Sequence, residues 1–167
     1  MRSARRRVQS GRRDDVDIVE ASPSDADSVA SVLSESFAEY RPLYTPGGYA
    51  ATTPSAEQIR ARWDEGPVWV AVREGRVVGT VSAVPRGREL YVRSMAVVPS
   101  ARGLRVGESL LRRVEEFARA HGHERLTLTT TPFLSRAIRL YERAGFRRNG
   151  RALDLFGTPL FEMSKEL

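Results

Sequence analysis

The chain has no cysteine, one lysine (Lys165) and two histidines in 167 residues. Without cysteine it has no disulfide, no thiolate nucleophile and no zinc–cysteine site. The two histidines, His121 and His123, flank Gly122 and have no other clustered ligand type nearby in sequence, so they read as surface residues and no metal site is expected. No apolar run approaches the roughly 18 residues a membrane helix needs. The start lacks the apolar segment of a secretory signal, so a cytoplasmic protein with no membrane partner is expected. G-x-x-x-x-G-K-[ST] and G-x-G-x-x-G are missing too, which leaves out P-loop nucleotides and the dinucleotide fingerprint.

Basic charge is abundant but unevenly placed. The net charge of +6 equals the six arginines among the first 13 residues; beyond them 21 basic and 21 acidic side chains balance. The segment "MRSARRRVQSGRR" has little apolar surface to bury, so residues 1–15 are expected to be a disordered arm. Nucleic-acid binding is expected, if at all, only through that arm. The remaining length, 16–167, suits one domain.

Along this domain, strand-like and helix-like patterns alternate. "VDIVEA" (16–21) reads as a strand, and Ser22, Pro23 and Asp25 open a helix with Val29, Leu33 and Phe37 at helical spacing. The stretch "EYRPLYTPGGYAATTP" reads as an irregular loop, and Ser55 with Gln58 as the capping box of a short second helix. Two β-rich runs meet at Glu74-Gly75, a hairpin signal, and "ELYVRSMAVV" extends them into an antiparallel meander. A helix at 105–120, a strand "RLTLTT", a helix "SRAIRLYERAGF" and two last strands complete the chain. The fold class expected is mixed α/β: one central twisted, mostly antiparallel sheet flanked by about four helices.

The segment "MAVVPSARGLRVGESLL", Met95 to Leu111, runs a strand through a Gly-containing turn into a helix. Free backbone N–H groups and the helix dipole make such a place an anion site, with phosphate or pyrophosphate the implied ligand. It resembles the acyl-CoA-binding segment of the GNAT superfamily of acyl-CoA-dependent N-acyltransferases, with the motif [QR]-x-x-G-x-[GA] beginning at Arg102 and ending at Gly107. "AIRLYERAGF" (137–146) is similar to the family's A-x-x-L-Y-x-x-x-G-F helix and turn. The resemblance implies acetyl-CoA as co-substrate. Its pyrophosphate would lie on the backbone of Arg102, Gly103, Leu104, Arg105, Val106, Gly107 and Glu108. Its pantetheine would lie along a bulged strand at Met95, Ala96, Val97 and Val98. Two positions depart from the pattern: Arg105 stands where a glycine is usual, and Leu134 where an asparagine often stands, leaving Thr130 or Ser135 to replace that contact.

An alkylamine is protonated at neutral pH, so attack on a thioester needs a base, and the departing thiolate needs an acid. Tyr141, at the family's tyrosine position, is the candidate acid. Glu89, on one strand face with Tyr91 and Arg93, is the candidate base. Tyr40, Arg41 and Tyr44, with Tyr91, are the candidate acceptor contacts and would suit an amine that also carries a carboxylate. The expected function is acetyl transfer to the primary amine of a small molecule by direct attack in a ternary complex, in a possible homodimer. Two alternatives remain: a non-catalytic acyl-CoA-binding domain, and an acetyltransferase acting on a protein or peptide amine.

Overall fold

The computed structural model describes residues 15–167, so the expected arm, apart from Asp15, lies outside the described residues. The elements are β1 (Asp17–Glu20), α1 (Ala26–Phe37), α2 (Pro46–Thr52), α3 (Ala56–Ala61), β2 (Val68–Arg73), β3 (Arg76–Arg86), β4 (Glu89–Val97), α4 (Val106–Ala120), β5 (Arg125–Thr130), α5 (Ser135–Arg143), β6 (Arg147–Leu155) and β7 (Thr158–Glu166). They form a mixed α/β domain around a seven-stranded sheet in the order β1-β2-β3-β4-β5-β7-β6. Every neighbouring pair is antiparallel except β4 and β5, which run parallel. Glu74 (φ 50°) and Gly75 (φ 76°) both take left-handed backbone, which lets a two-residue turn join β2 to β3. No helix among the described residues is long and apolar enough to cross a membrane.

The stretch read as an irregular loop contains a helix, so the described residues hold five α-helices where about four were expected. Pro46 sits at the first position of α2, where its missing N–H costs nothing, and Thr45 caps the helix by accepting from the Gly48 amide at 3.0 Å. Gly48 is there for space: a Cβ would lie 2.3 Å from Thr158 Oγ1. Proline and glycine here mark a helix start and a close approach of two segments, not a break in regular structure. The Ser55–Gln58 capping box forms as expected.

The core lies on both faces of β2, β3 and β4. On one face, α4 contributes Val106, Leu110, Val114 and Ala118, each at most 2% exposed. Burying each of the larger side chains contributes roughly 1.5–3 kcal/mol, which outweighs the polar remainder of that helix. Trp69, 1% exposed, meets Phe117 of α4 edge-on at 5.4 Å. On the other face pack α1 and α3, whose Val29 and Ile59 lie against Val68 and Thr80. Lys165 of β7 donates to Glu115 of α4 at 2.6 Å and ties helix to sheet.

Candidate active site

Two irregularities in the sheet build the site. In the first, β4 carries one extra residue: Ser82 pairs with Arg93 and Thr80 with Ala96, so Val81 alone faces Ser94 and Met95. Ser94 takes φ 53°, leaves the alternation that should have placed it with Leu90 and Val92, and reverses the phase of the rest of the strand. In the second, β4 pairs with β5 only from Glu89↔Arg125 to Tyr91↔Thr127. Beyond that β5 continues along β7 while β4 bends away with β3, and the sheet opens.

A cavity of about 840 Å³ fills the opening. That is ample for a cofactor-sized ligand. Val98 donates its amide to Val78 at 2.9 Å, so by strand alternation Val97 directs its own N–H and C=O away from β3, toward the opening. Of the two valines expected to offer backbone to a ligand, Val97 has its groups turned toward the opening, whereas Val98 is bonded to β3 and to the Ala101 amide.

On the α4 side, the chain turns through Gly103 (φ 83°) and Arg105 (φ 59°, ψ 27°) into the helix. Among the described residues, none of the amides from Gly103 to Glu108 donates to a backbone or side-chain acceptor, and the first intrahelical bond is Ser109 N–H to Arg105 O at 3.1 Å. This is a cradle of free donors at the positive end of a 15-residue helix. Arg102 is held by Glu39, whereas Arg105 is exposed. Leu104 packs toward the core and Ser135 faces out at the start of α5, so neither lines the cavity.

Three tyrosines converge from different elements. Tyr141 of α5 is 8% exposed; burial pushes its hydroxyl well above the ordinary value, and nearby Tyr44 and Tyr91 push the same way. Tyr44 is also raised by burial, against hydrogen bonding to Thr52 and Thr131. Tyr91 reaches across the opening to Thr129 Oγ1 at 2.8 Å, with the Arg86 guanidinium 4.0 Å from its ring. Tyr40 lines the same wall, but Arg41 lies outside it over the Tyr49 ring at 5.1 Å.

Glu89 is not brought to the cavity. It stands at the closed end of the β4–β5 pairing, where Arg125 holds it at 3.0 Å, and the split begins only after Tyr91. A carboxylate that does line the cavity is Glu162 of β7, paired in register with Thr129, its side chain 14% exposed and bonded to Asn149 at 2.6 Å. Sequence reasoning missed Glu162, Arg62, Ser36 and Thr131, all of which line the cavity. The Oγ atoms of Ser36 and Thr130 are buried without a partner among the described residues. No local signal marked Ser36 or Glu162, because each is one polar residue on an amphipathic element, placed only by tertiary pairing.

The model of the Acetyltransferase (GNAT) family matches residues 31–146. The chain is 32% identical to the uncharacterized N-acetyltransferase YjgM of Escherichia coli (strain K12) over 139 residues, covering 80% of this chain and 83% of that protein. It is 41% identical over 88 residues to the N-acetylaspartate synthetase of Danio rerio, 52% of this chain and 31% of that protein; the chain thus spans about a third of that relative's length. Among solved structures, the PaiA N-acetyltransferase of Thermoplasma acidophilum in complex with coenzyme A superposes with TM-score 0.76 at 18% identity, over 92% of this chain and 99% of that one. That likeness is one of fold.

Proposed function

As the chain belongs to the GNAT acetyltransferase family, we propose that it transfers an acetyl group from acetyl-CoA to the primary amine of a small molecule, by direct attack in a ternary complex. The observation that carries this reading is the buried Tyr141 hydroxyl inside a sheet opening whose rim is the donor cradle of residues 103–108. Acetyl-CoA supplies the acetyl group already activated as a thioester.

The residues present fit that co-substrate. The free amides of the cradle, with Gly107 allowing close approach, suit a pyrophosphate. A Cβ on Gly107 would crowd Leu140 at 2.7 Å. Val97 offers backbone along the opening, and the unpartnered Thr130 hydroxyl takes the place of the amide side chain missing at Leu134. Tyr141 keeps its proton at neutral pH because burial raises its pKa, so it can donate to the departing sulfur. Glu162, across the opening beside Thr129, takes the proton of the incoming ammonium in place of Glu89. A buried, proton-holding tyrosine also speaks against a non-catalytic acyl-CoA-binding domain.

The reading includes a cytoplasmic setting and a homodimer. The dimer is supported by the exposed edge strand β6, whose end presents Leu153 (37% exposed) and Phe156 (72% exposed).

The test is turnover and acetyl-CoA affinity of Tyr141→Phe, with Glu162→Gln beside it. Tyr141→Phe should lower kcat about 100-fold or more while acetyl-CoA affinity holds, the usual scale for removing a general acid. Glu162→Gln should likewise lower kcat about 100-fold or more while acetyl-CoA affinity holds. Wild-type turnover by Tyr141→Phe would remove the tyrosine from the chemistry.

A further inference from the structure

The cavity has two sides with separate cations. On the α4 side Arg105 stands at the donor cradle, while on the α1 and α3 side Arg62 ends α3 and forms part of the wall. Arg62 is placed firmly. The capping box fixes α3, the Arg60–Asp27 contact at 3.5 Å ties it to α1, and the Arg62 guanidinium donates to Ser94 Oγ at 3.2 Å, on the bulge itself.

Among the described residues, only the weak attraction of Glu65 offsets this half-buried charge. The nearest acid, Glu65, is already bonded to Arg93 at 2.7 Å, and no carboxylate lies within ion-pair distance of Arg62. Its neighbour Arg93 has the same sign, and burial together with that neighbour lowers the Arg62 pKa against the weaker pull of Glu65. A bond to one serine hydroxyl needs no cation; a neutral amide would serve. An unpaired guanidinium in a partly desolvated wall costs free energy in the empty protein and is relieved by an anion. Elsewhere in the cavity lining, Ser36 Oγ is buried, 5% of the residue exposed, and lacks any partner among the described residues.

We propose that the acceptor is an amino acid or similar amine bearing a carboxylate, and that Arg62 is the residue that reads this carboxylate, with its amine presented to the opening near Tyr91. The inference rests on the acetyl-transfer reading above and deepens it. A carboxylate matches the flat two-pronged guanidinium. A phosphate finds a larger donor set on the α4 side, and the Glu65-bound Arg93 leaves a single net charge here.

The experiment measures CoA release at saturating acetyl-CoA, using the twenty standard amino acids, β-alanine and 4-aminobutyrate, each beside its own carboxamide. At least one acid should exceed its amide in kcat/KM by ten-fold or more. Arg62→Gln should then lower kcat/KM for that acid about 10- to 100-fold, chiefly through KM, and leave the amide unchanged, the scale of a lost charge-assisted bond. Arg62→Lys should recover part of the loss. A role confined to pinning the bulge would instead lower the melting temperature and slow both members of each pair alike.

Amides turned over as well as acids, or Arg62→Gln slowing both equally, would overturn the inference while the transferase reading stood. So would acetyl-CoA binding, seen as a raised melting temperature, with no amine of either set acetylated. Absence of any thermal shift with acetyl-CoA would sink the transferase reading first and this inference with it.

Discussion

Arg105 is the position where stability and binding should pull in opposite directions. Its backbone sits at φ 59°, ψ 27°, in the left-handed region, as the residue before α4. A non-glycine residue there costs roughly 1–2 kcal/mol, and glycine gives back roughly 0.5–1 kcal/mol of that gain through its looser unfolded chain. Arg105→Gly should therefore stabilise the free protein by about 0.5–1 kcal/mol, a rise of about 1–4 °C in melting temperature for a domain of this size. Among the described residues the Arg105 side chain makes no hydrogen bond or ion pair that would oppose that gain, since only its carbonyl is engaged, by Ser109.

The same variant should bind acetyl-CoA worse. If the guanidinium reaches a phosphate, losing one charge-assisted bond costs about 1.5–3 kcal/mol, or roughly 10- to 150-fold in Kd. Arg105→Ala separates the two effects, because it loses the charge but keeps the Cβ and the strain. Calorimetric melting without ligand and titration with acetyl-CoA and 3'-dephospho-CoA read both quantities. A lower melting temperature for Arg105→Gly would refute the strain argument. Equal Kd values for all three proteins would show that the guanidinium does not touch the co-substrate.

Two further predictions concern the frame around the site. A Cβ at Gly66 would lie 1.9 Å from the Ala83 carbonyl oxygen, a backbone atom on a strand whose Ala83 amide also donates to the Pro67 carbonyl. Gly66→Ala should thus cost about 3 kcal/mol or more, a fall of about 6–12 °C in melting temperature; a loss under about 1 °C would mean the strand yields freely. Burial would raise the Glu115 carboxyl, but bonds from Lys165 and Arg119 outweigh it and hold it below its ordinary value of 4.5. Such a group adds stability that is fully present above the unfolded pKa and is lost as pH falls through the lower folded one. Glu115→Gln should accordingly destabilise at pH 7 and much less near pH 3, and an equal loss at both pH values would contradict it.

Local chemistry explains which parts of the fold are legible in the residues alone. Capping at Ser55, the turn at Glu74-Gly75, and the glycine-containing entry to α4 each depend on a few adjacent residues, and each forms as expected. The stretch before α3 escapes such reading. Proline and glycine ordinarily interrupt helices, but Pro46 sits at a helix start and Gly48 against Thr158, some 110 positions away. The place of Glu89 outside the cavity is hidden for a related reason. Period-2 alternation correctly put Glu89 on one face with Tyr91, but not how far along the strand the sheet stays closed, and the opening begins two residues later. Thr129 and Glu162 become neighbours only through the β5–β7 pairing, which joins segments distant in sequence.

Charge shows the same separation between composition and place. By count the chain from residue 14 onward is neutral, which gives no reason to expect a field in the domain. The fold distributes its acids selectively. Of the arginines lining the cavity, Arg93, Arg102 and Arg151 are matched by Glu65, Glu39 and Glu162, whereas Arg62, Arg86, Arg105, Arg136, Arg139 and Arg143 have no acid within ion-pair distance among the described residues. Other acids are used elsewhere: Glu116 with Arg113 on α4, Glu124 with Arg88, and Glu166 with Arg125 at the closed end of the sheet. A neutral domain can therefore present a cavity with a local excess of positive charge, which draws anionic ligands in and favours them once water is displaced. A polyanionic co-substrate on one side and an acidic acceptor on the other would both be favoured by that excess. Opposed melting and binding shifts in Arg105→Gly, and an acid-selective loss in Arg62→Gln, would show that the two sides use it separately.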